Sequence, residues 1–119
     1  MISNRKQILE ALLTVCENVK TERPEGKLTL PLITYGEVTN VNAERYIDRI
    51  EYQIDAYTSS FPEMVQITRG IDDVMTNMGW HRTYVTPDAS ARVGAGLYQK
   101  AMSYAARVDI RYNDIIGGF

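Results

Sequence analysis

The chain is poor in the residues from which small reactive sites are most often built. Its 119 residues include one cysteine and one histidine, Cys16 and His81. A single cysteine excludes an internal disulfide and is compatible with a reducing compartment. The two together cannot complete a Cys/His zinc site within one chain. There is no run of about eighteen apolar residues, so no membrane-spanning helix is expected. The opening residues lead into a stretch interrupted by Glu10 and Glu17, which is not the pattern of a signal peptide. A charge excess of one sign is missing too. The net charge is −2, without the basic balance of a free-standing nucleic-acid binder. Phenylalanine and tryptophan number only two and one.

Tyrosine is the exception among the aromatics, with eight residues. Its apolar ring and polar tip suit half-buried sheets and interfaces, and equally a tyrosine-rich core. Hydrophobic residues make up 45% of the chain, which places it among globular proteins. The length suits one domain over residues 1–119. A domain of this size buries roughly 65% of its unfolded surface, enough for one core.

Ser3 is placed to cap a first helix. Ile8, Leu12, Val15 and Val19 follow at helical spacing beside Leu9 and Cys16, and predict an amphipathic helix over residues 3–20. Polar residues with Pro24 and Gly26 end it. Residues 28–39 alternate and read as a strand. Pro31 has no N–H to donate, so that strand lies at an edge or begins near Leu32. Residues 38–44, with Asn40 and Asn42, read as a connection. Residues 45–57 form the clearest strand. Tyr46, Ile50, Tyr52, Ile54 and Ala56 share one face, and Arg49, Glu51, Gln53 and Asp55 the other. Ile47 and Asp48 break the alternation and point to a bulge or to a contact outside the monomer.

Ser60-Phe61-Pro62-Glu63 is a capping box, with proline in the first turn where its missing N–H costs nothing. Met64, Ile67, Ile71, Val74 and Met78 predict a helix to about residue 78, closed by Gly79. Residues 80–85 and 97–112 read as two more strands. In the second of these, Tyr98, Met102, Tyr104, Ala106, Val108 and Ile110 face one way, and Lys100 interrupts them. Residues 86–96, rich in Ala, Gly and Ser, are expected to be a flexible hairpin tip. The apolar tail after residue 113 is expected to dock on something. The order α-β-β-α-β-β predicts an α+β two-layer sandwich. Its sheet is expected to have about four mostly antiparallel or mixed strands, with both helices on one face.

No catalytic constellation emerges. His81 has no nucleophile signature near it and reads as a structural or surface residue. Cys16 lies on an apolar stripe, where free thiols behave as small hydrophobes. Asp72 and Asp73 point about 100° apart on a helix and chelate poorly together, so they read as a solvated face. Gly94-Ala95-Gly96 lacks the strand, helix and Lys-Ser/Thr context of a phosphate loop. The polar sheet face carries both signs of charge: Arg49, Glu51 and Asp55 on one strand, Arg107, Asp109 and Arg111 on another. It is either a solvated face with weak ion pairs or a subunit seam where mixed charge fixes register.

Three short signatures in this order resemble the tail-terminator (tail-completion) family of long-tailed bacteriophages. They are Asp55-Ala56-Tyr57-Thr58-Ser59-Ser60, Gly79-Trp80-His81-Arg82 and Leu97-Tyr98-Gln99-Lys100-Ala101-Met102. The resemblance spans the first helix to the fourth strand. It implies a structural virion protein of the tail and neck, made in the host cytoplasm, with no enzymatic activity and no cofactor. Such a protein forms a homo-hexameric ring on the tail-tube protein, stops tube growth and binds a head-side connector. DNA passes through the ring without sequence-specific binding, and no membrane is involved. Candidate ring or partner contacts are Arg49, Glu51, Asp55, Arg107, Asp109 and Arg111, together with Arg92 in the loop and Phe119 in the tail. Another neck or head-completion connector, or a small cytoplasmic α+β ligand-binding domain, are the alternatives.

Overall fold

The computed structural model describes residues 4–117. Among these the chain is α+β, with two helices and a mixed sheet of seven strands. The expected cap at Ser3 and the contact residue Phe119 lie outside the described residues.

The first helix, α1 (Asn4–Leu13), is shorter than the stripe predicts. Three features end it. Thr14 turns its hydroxyl onto the carbonyl of Ala11 at 2.6 Å, and the amides of Val15 and Cys16 both fall on Leu12. Asn18 then donates to the carbonyls of Thr29, at 2.7 Å, and Pro31. Val19 is therefore not helical. It begins β1 (Val19–Lys20), which pairs in parallel with Ile33 and Thr34. Cys16 is buried in the connecting turn rather than on the helix.

β2 (Leu32–Glu44) begins at the residue after Pro31, as the missing donor requires. It continues through Asn40 and Asn42, which the sequence assigns to a connection. Both stay in register with β3 (Ile47–Thr58), opposite Ile50 and Asp48. Composition alone favours a turn there, but the ladder with β3 overrides it. The irregularity expected at Ile47 and Asp48 is a bulge on the β2 side, between Asn42 and Glu44.

α2 (Phe61–Asn77) starts as the capping signal predicts: Ser60 Oγ accepts from the Glu63 amide at 3.4 Å. Glu63 Oε1 is buried without a hydrogen-bond partner, so that oxygen does not make the reciprocal bond. The helix ends in a Schellman motif, with Trp80 N–H on Met75 O and Gly79 N–H on Thr76 O. Gly79 has φ +101°, so it follows the cap residue, Met78. β4 (His81–Val85) follows.

The segment expected to be a flexible tip is structured. A 3-10 turn over Asp88–Ser90 leads into a fully buried Ala91, and β5 (Arg92–Gly94) pairs with β6 (Leu97–Asp109). The amides of Thr86 and Gln99 tie its two ends to the carbonyls of Ala101 and Ala91. β6 stops short of residue 112, and Ile110 is exposed rather than part of the core. The tail returns as β7 (Asp114–Gly117), so it docks on its own β6.

The sheet order is β1-β2-β3-β6-β4, with β5 and β7 also on β6. The four expected strands correspond to β2, β3, β4 and β6, and the three added ones have two to four residues each. β6 is the hub. β3 lies along one edge, while β5, β4 and β7 follow one another along the other. Ile50, Tyr52, Ile54 and Ala56 of β3 meet Met102, Tyr104, Ala106 and Val108 of β6. Ile8 and Leu12 of α1 and Met64, Ile67, Ile71 and Met75 of α2 join the same core cluster. Trp80 closes it edge-on against Tyr52, with ring centroids 5.5 Å apart. Asp73 is exposed as expected, whereas Asp72 is half-buried and engaged. Asp72 accepts from Tyr104 Oη at 2.9 Å and pairs with Arg82 at 3.3 Å.

Candidate functional site

The register puts four of the expected contact residues, Arg49, Glu51, Asp55 and Arg107, on the sheet face opposite the core. Arg49 lies directly across from Arg107, Glu51 from Ala105, Gln53 from Ser103 and Asp55 from Ala101. From β2, Thr34 stands beside Asp55 and Val41 beside Arg49. From β4, His81 stands beside Ala105 and Tyr84 beside Ser103. Two like charges at directly opposed positions are unfavourable unless each is answered. Arg107 is answered by Glu44 at 2.9 Å, reaching in from the hairpin. Glu51 accepts from Thr83 Oγ1 at 2.8 Å, which binds β4 to β3 across β6. Asp55 is held by Gln53 Nε2 at 3.1 Å. Burial pushes its carboxyl above the ordinary range, and the Gln53 bond offsets this only in part.

Asp109 and Arg111 do not join that strip. They form a closed local pair at the turn after β6, with Arg111 Nε and Nη2 on the two carboxylate oxygens at 3.0 and 2.7 Å. The Arg111 hydrogen bonds hold Asp109 below the usual carboxylate range and push the guanidinium up. The same guanidinium lies 4.4 Å from the Tyr46 ring centroid and 5.2 Å from that of Tyr112. Arg45 also lies over Tyr46, at 4.9 Å. This arginine–tyrosine stack caps the β2–β3 hairpin. Ile110, Tyr112 and Ile116 are each about half exposed nearby, and Val41 is 60% exposed.

Arg92 is brought to neither group. It pairs opposite Tyr98 at the far end of β6, about 30 Å along the strand from Arg107 at the usual rise per residue. Sequence reasoning missed Arg45, Tyr46 and Tyr112 as a cluster. Their signal was the density of arginine and tyrosine at two separate turns, which only the β3–β6 register brings together.

The exposed part of the site is continuous with β2. Its burial ends at Tyr35, and from Glu37 to Glu44 every residue is exposed. β1 covers only Ile33 and Thr34, so the outer edge of this half-strand carries no neighbour among the described residues. Among the described residues no helix is long and apolar enough to cross a membrane. No family model matches the sequence, and no curated protein matches it either.

Proposed function

We propose that the protein is a tail terminator of a long-tailed bacteriophage. In this reading it is a structural subunit that forms a homo-hexameric ring on the last ring of the tail-tube protein, stops tube growth and joins the tail to the head-side connector. It catalyses nothing, and DNA passes through the ring without being read. The observation that carries the reading is the outer half of β2, exposed on both faces and open along its edge. Such an edge is a template for pairing with another chain, and it is normally blunted by charge, proline, bulges or a short length. Here it runs Glu37-Val38-Thr39-Asn40-Val41-Asn42-Ala43-Glu44, eight residues with two bulges and a glutamate at each end, but without lysine or proline and with an uncharged centre from Val38 to Ala43.

A closed ring needs two different patches on each subunit, one for each neighbour. The β2 edge with its hairpin tip supplies one. The polar face carrying Arg49, Glu51, Asp55 and Arg107 supplies the other, where mixed charge selects register. Both helices are read as covering the face opposite to these patches, a placement supported by the core cluster they share. The ring would work in the virion neck after synthesis in the host cytoplasm.

The test is a growth assay in which purified protein is added to tail-tube subunits assembling in solution. The native chain should arrest growth. Val41→Lys puts an edge guard at an exposed position, so it should leave the fold intact and fail to arrest. Arrest by the variant at the native concentration would remove the β2 edge from the mechanism.

A further inference from the structure

On the other side of the sheet, between α2 and the strands β4 and β6, lies a groove of about 340 Å³. We propose that this groove binds a phosphate group, either free phosphate or the terminal phosphate of a small phosphorylated molecule. The floor is Lys100, whose side chain is 9% exposed on the core face of β6. A buried ammonium is unfavourable unless it is paired. Asp88 supplies the pairing, but its carboxylate is 70% exposed and stands on the 3-10 turn outside the groove lining. An ammonium has three N–H donors, and Asp88 answers one.

Arg82 enters from β4, held against Asp72 at 3.3 Å. Arg69 enters from the preceding turn of α2, without an acidic partner among the described residues. Thr68 adds a hydroxyl. Three cations therefore line one small volume against one carboxylate in the lining, Asp72, and one outside it, Asp88, leaving one positive charge in excess. Two guanidinium forks and an ammonium are the donors that phosphate oxygens take best. One excess charge suits one phosphate group. It is too little for the row of phosphates on a nucleic-acid backbone.

The site stands apart from the ring surfaces and does not depend on the terminator reading. Thermal shift alone cannot test it, because phosphate stabilises folded proteins generally. The experiment is a two-dimensional NMR titration of the full chain with inorganic phosphate and, separately, with a nucleoside 5′-monophosphate. Chloride at matched ionic strength is the control. Phosphate should shift the amides of residues 68–72, 82–85 and 100 in a saturable way. Arg69→Gln, at an exposed position, should weaken binding roughly tenfold, as should Lys100→Met. Tighter binding of the monophosphate would identify a monoester as the ligand, and equal binding would identify phosphate itself. Shifts that chloride reproduces, or that persist in both variants, would overturn the proposal.

Discussion

Gly79 is held by two independent constraints. Its φ of +101° lies where L side chains are strained, and an added Cβ would stand 2.9 Å from Ile115 Cγ2. Gly79→Ala should therefore destabilise the fold by more than the ~1–2 kcal/mol that backbone conformation alone accounts for. Chemical denaturation checks this. In the double variant with Ile115→Ala the steric part disappears, so the loss should be smaller than the sum of the two single losses. Strict additivity would mean that β7 is not where it is placed. Asp55 gives a second test at this scale. Burial raises its folded pKa above the unfolded value, so the carboxylate is a penalty at neutral pH, relieved as pH falls into the window between the two. Asp55→Asn should be at least as stable as the native chain at pH 7, and its advantage should shrink on acidification through that window. Denaturant midpoints across pH decide it. A native chain that instead loses stability relative to the variant as pH falls would contradict the assignment. Residues of this kind are only half legible in a sequence. Gly79 follows a helical stripe and declares its turn, but Ile115 above it lies on a four-residue strand whose pairing with β6 leaves no period in the sequence. Lys100 declares itself as a break in an apolar face, while its partner Asp88 does not.

Among the elements, those with strong periodicity were legible. α2 reads off its capping signal and its stripe, because both are local. β3 and the inner part of β6 read off an alternation that holds apart from Ile47-Asp48 and Lys100, because one face is buried. α1 was not legible at its C-terminal end. Val15 and Val19 fit a helical spacing, yet both also fit a turn followed by a strand, and the Asn18 bonds to the chain near Pro31 decide between them. The outer half of β2 was missed for a related reason. It buries nothing, so it carries no hydrophobic period, and its asparagines resemble a loop. β5 and β7 are too short to show a period at all. The candidate site divides in the same way. Its strip of Arg49, Glu51, Asp55 and Arg107 followed from alternation, while the stack around Tyr46 needed the fold. Arg107→Glu tests that strip. It places a carboxylate beside Glu44 and removes an exposed pair worth under ~1 kcal/mol, so denaturant stability should fall only slightly. Self-association measured by native mass spectrometry should fall much more. Equal loss of both would mean that the face is structural only.

Over the described residues the molecule is elongated, 48 Å along its longest axis against 26 and 23 Å across. The β2 arm of the β2–β3 hairpin is exposed through its outer half, and the hairpin carries an arginine–tyrosine stack at its tip. A small domain that spends strand length on a surface it does not bury is suited to contacts with other subunits. The terminator reading gives that arm a place between ring neighbours and gives the polar face the task of rejecting wrong partners. Every ring of a growing tube presents the same surface. A terminator must match that surface on one side and offer a different one on the other, so that the next tube subunit finds no site. The most direct measurement is electron microscopy of particles assembled in a host that makes every other phage protein but not this one. The account predicts overlong tails and separate, DNA-filled heads. Tails of normal length joined to heads would contradict it.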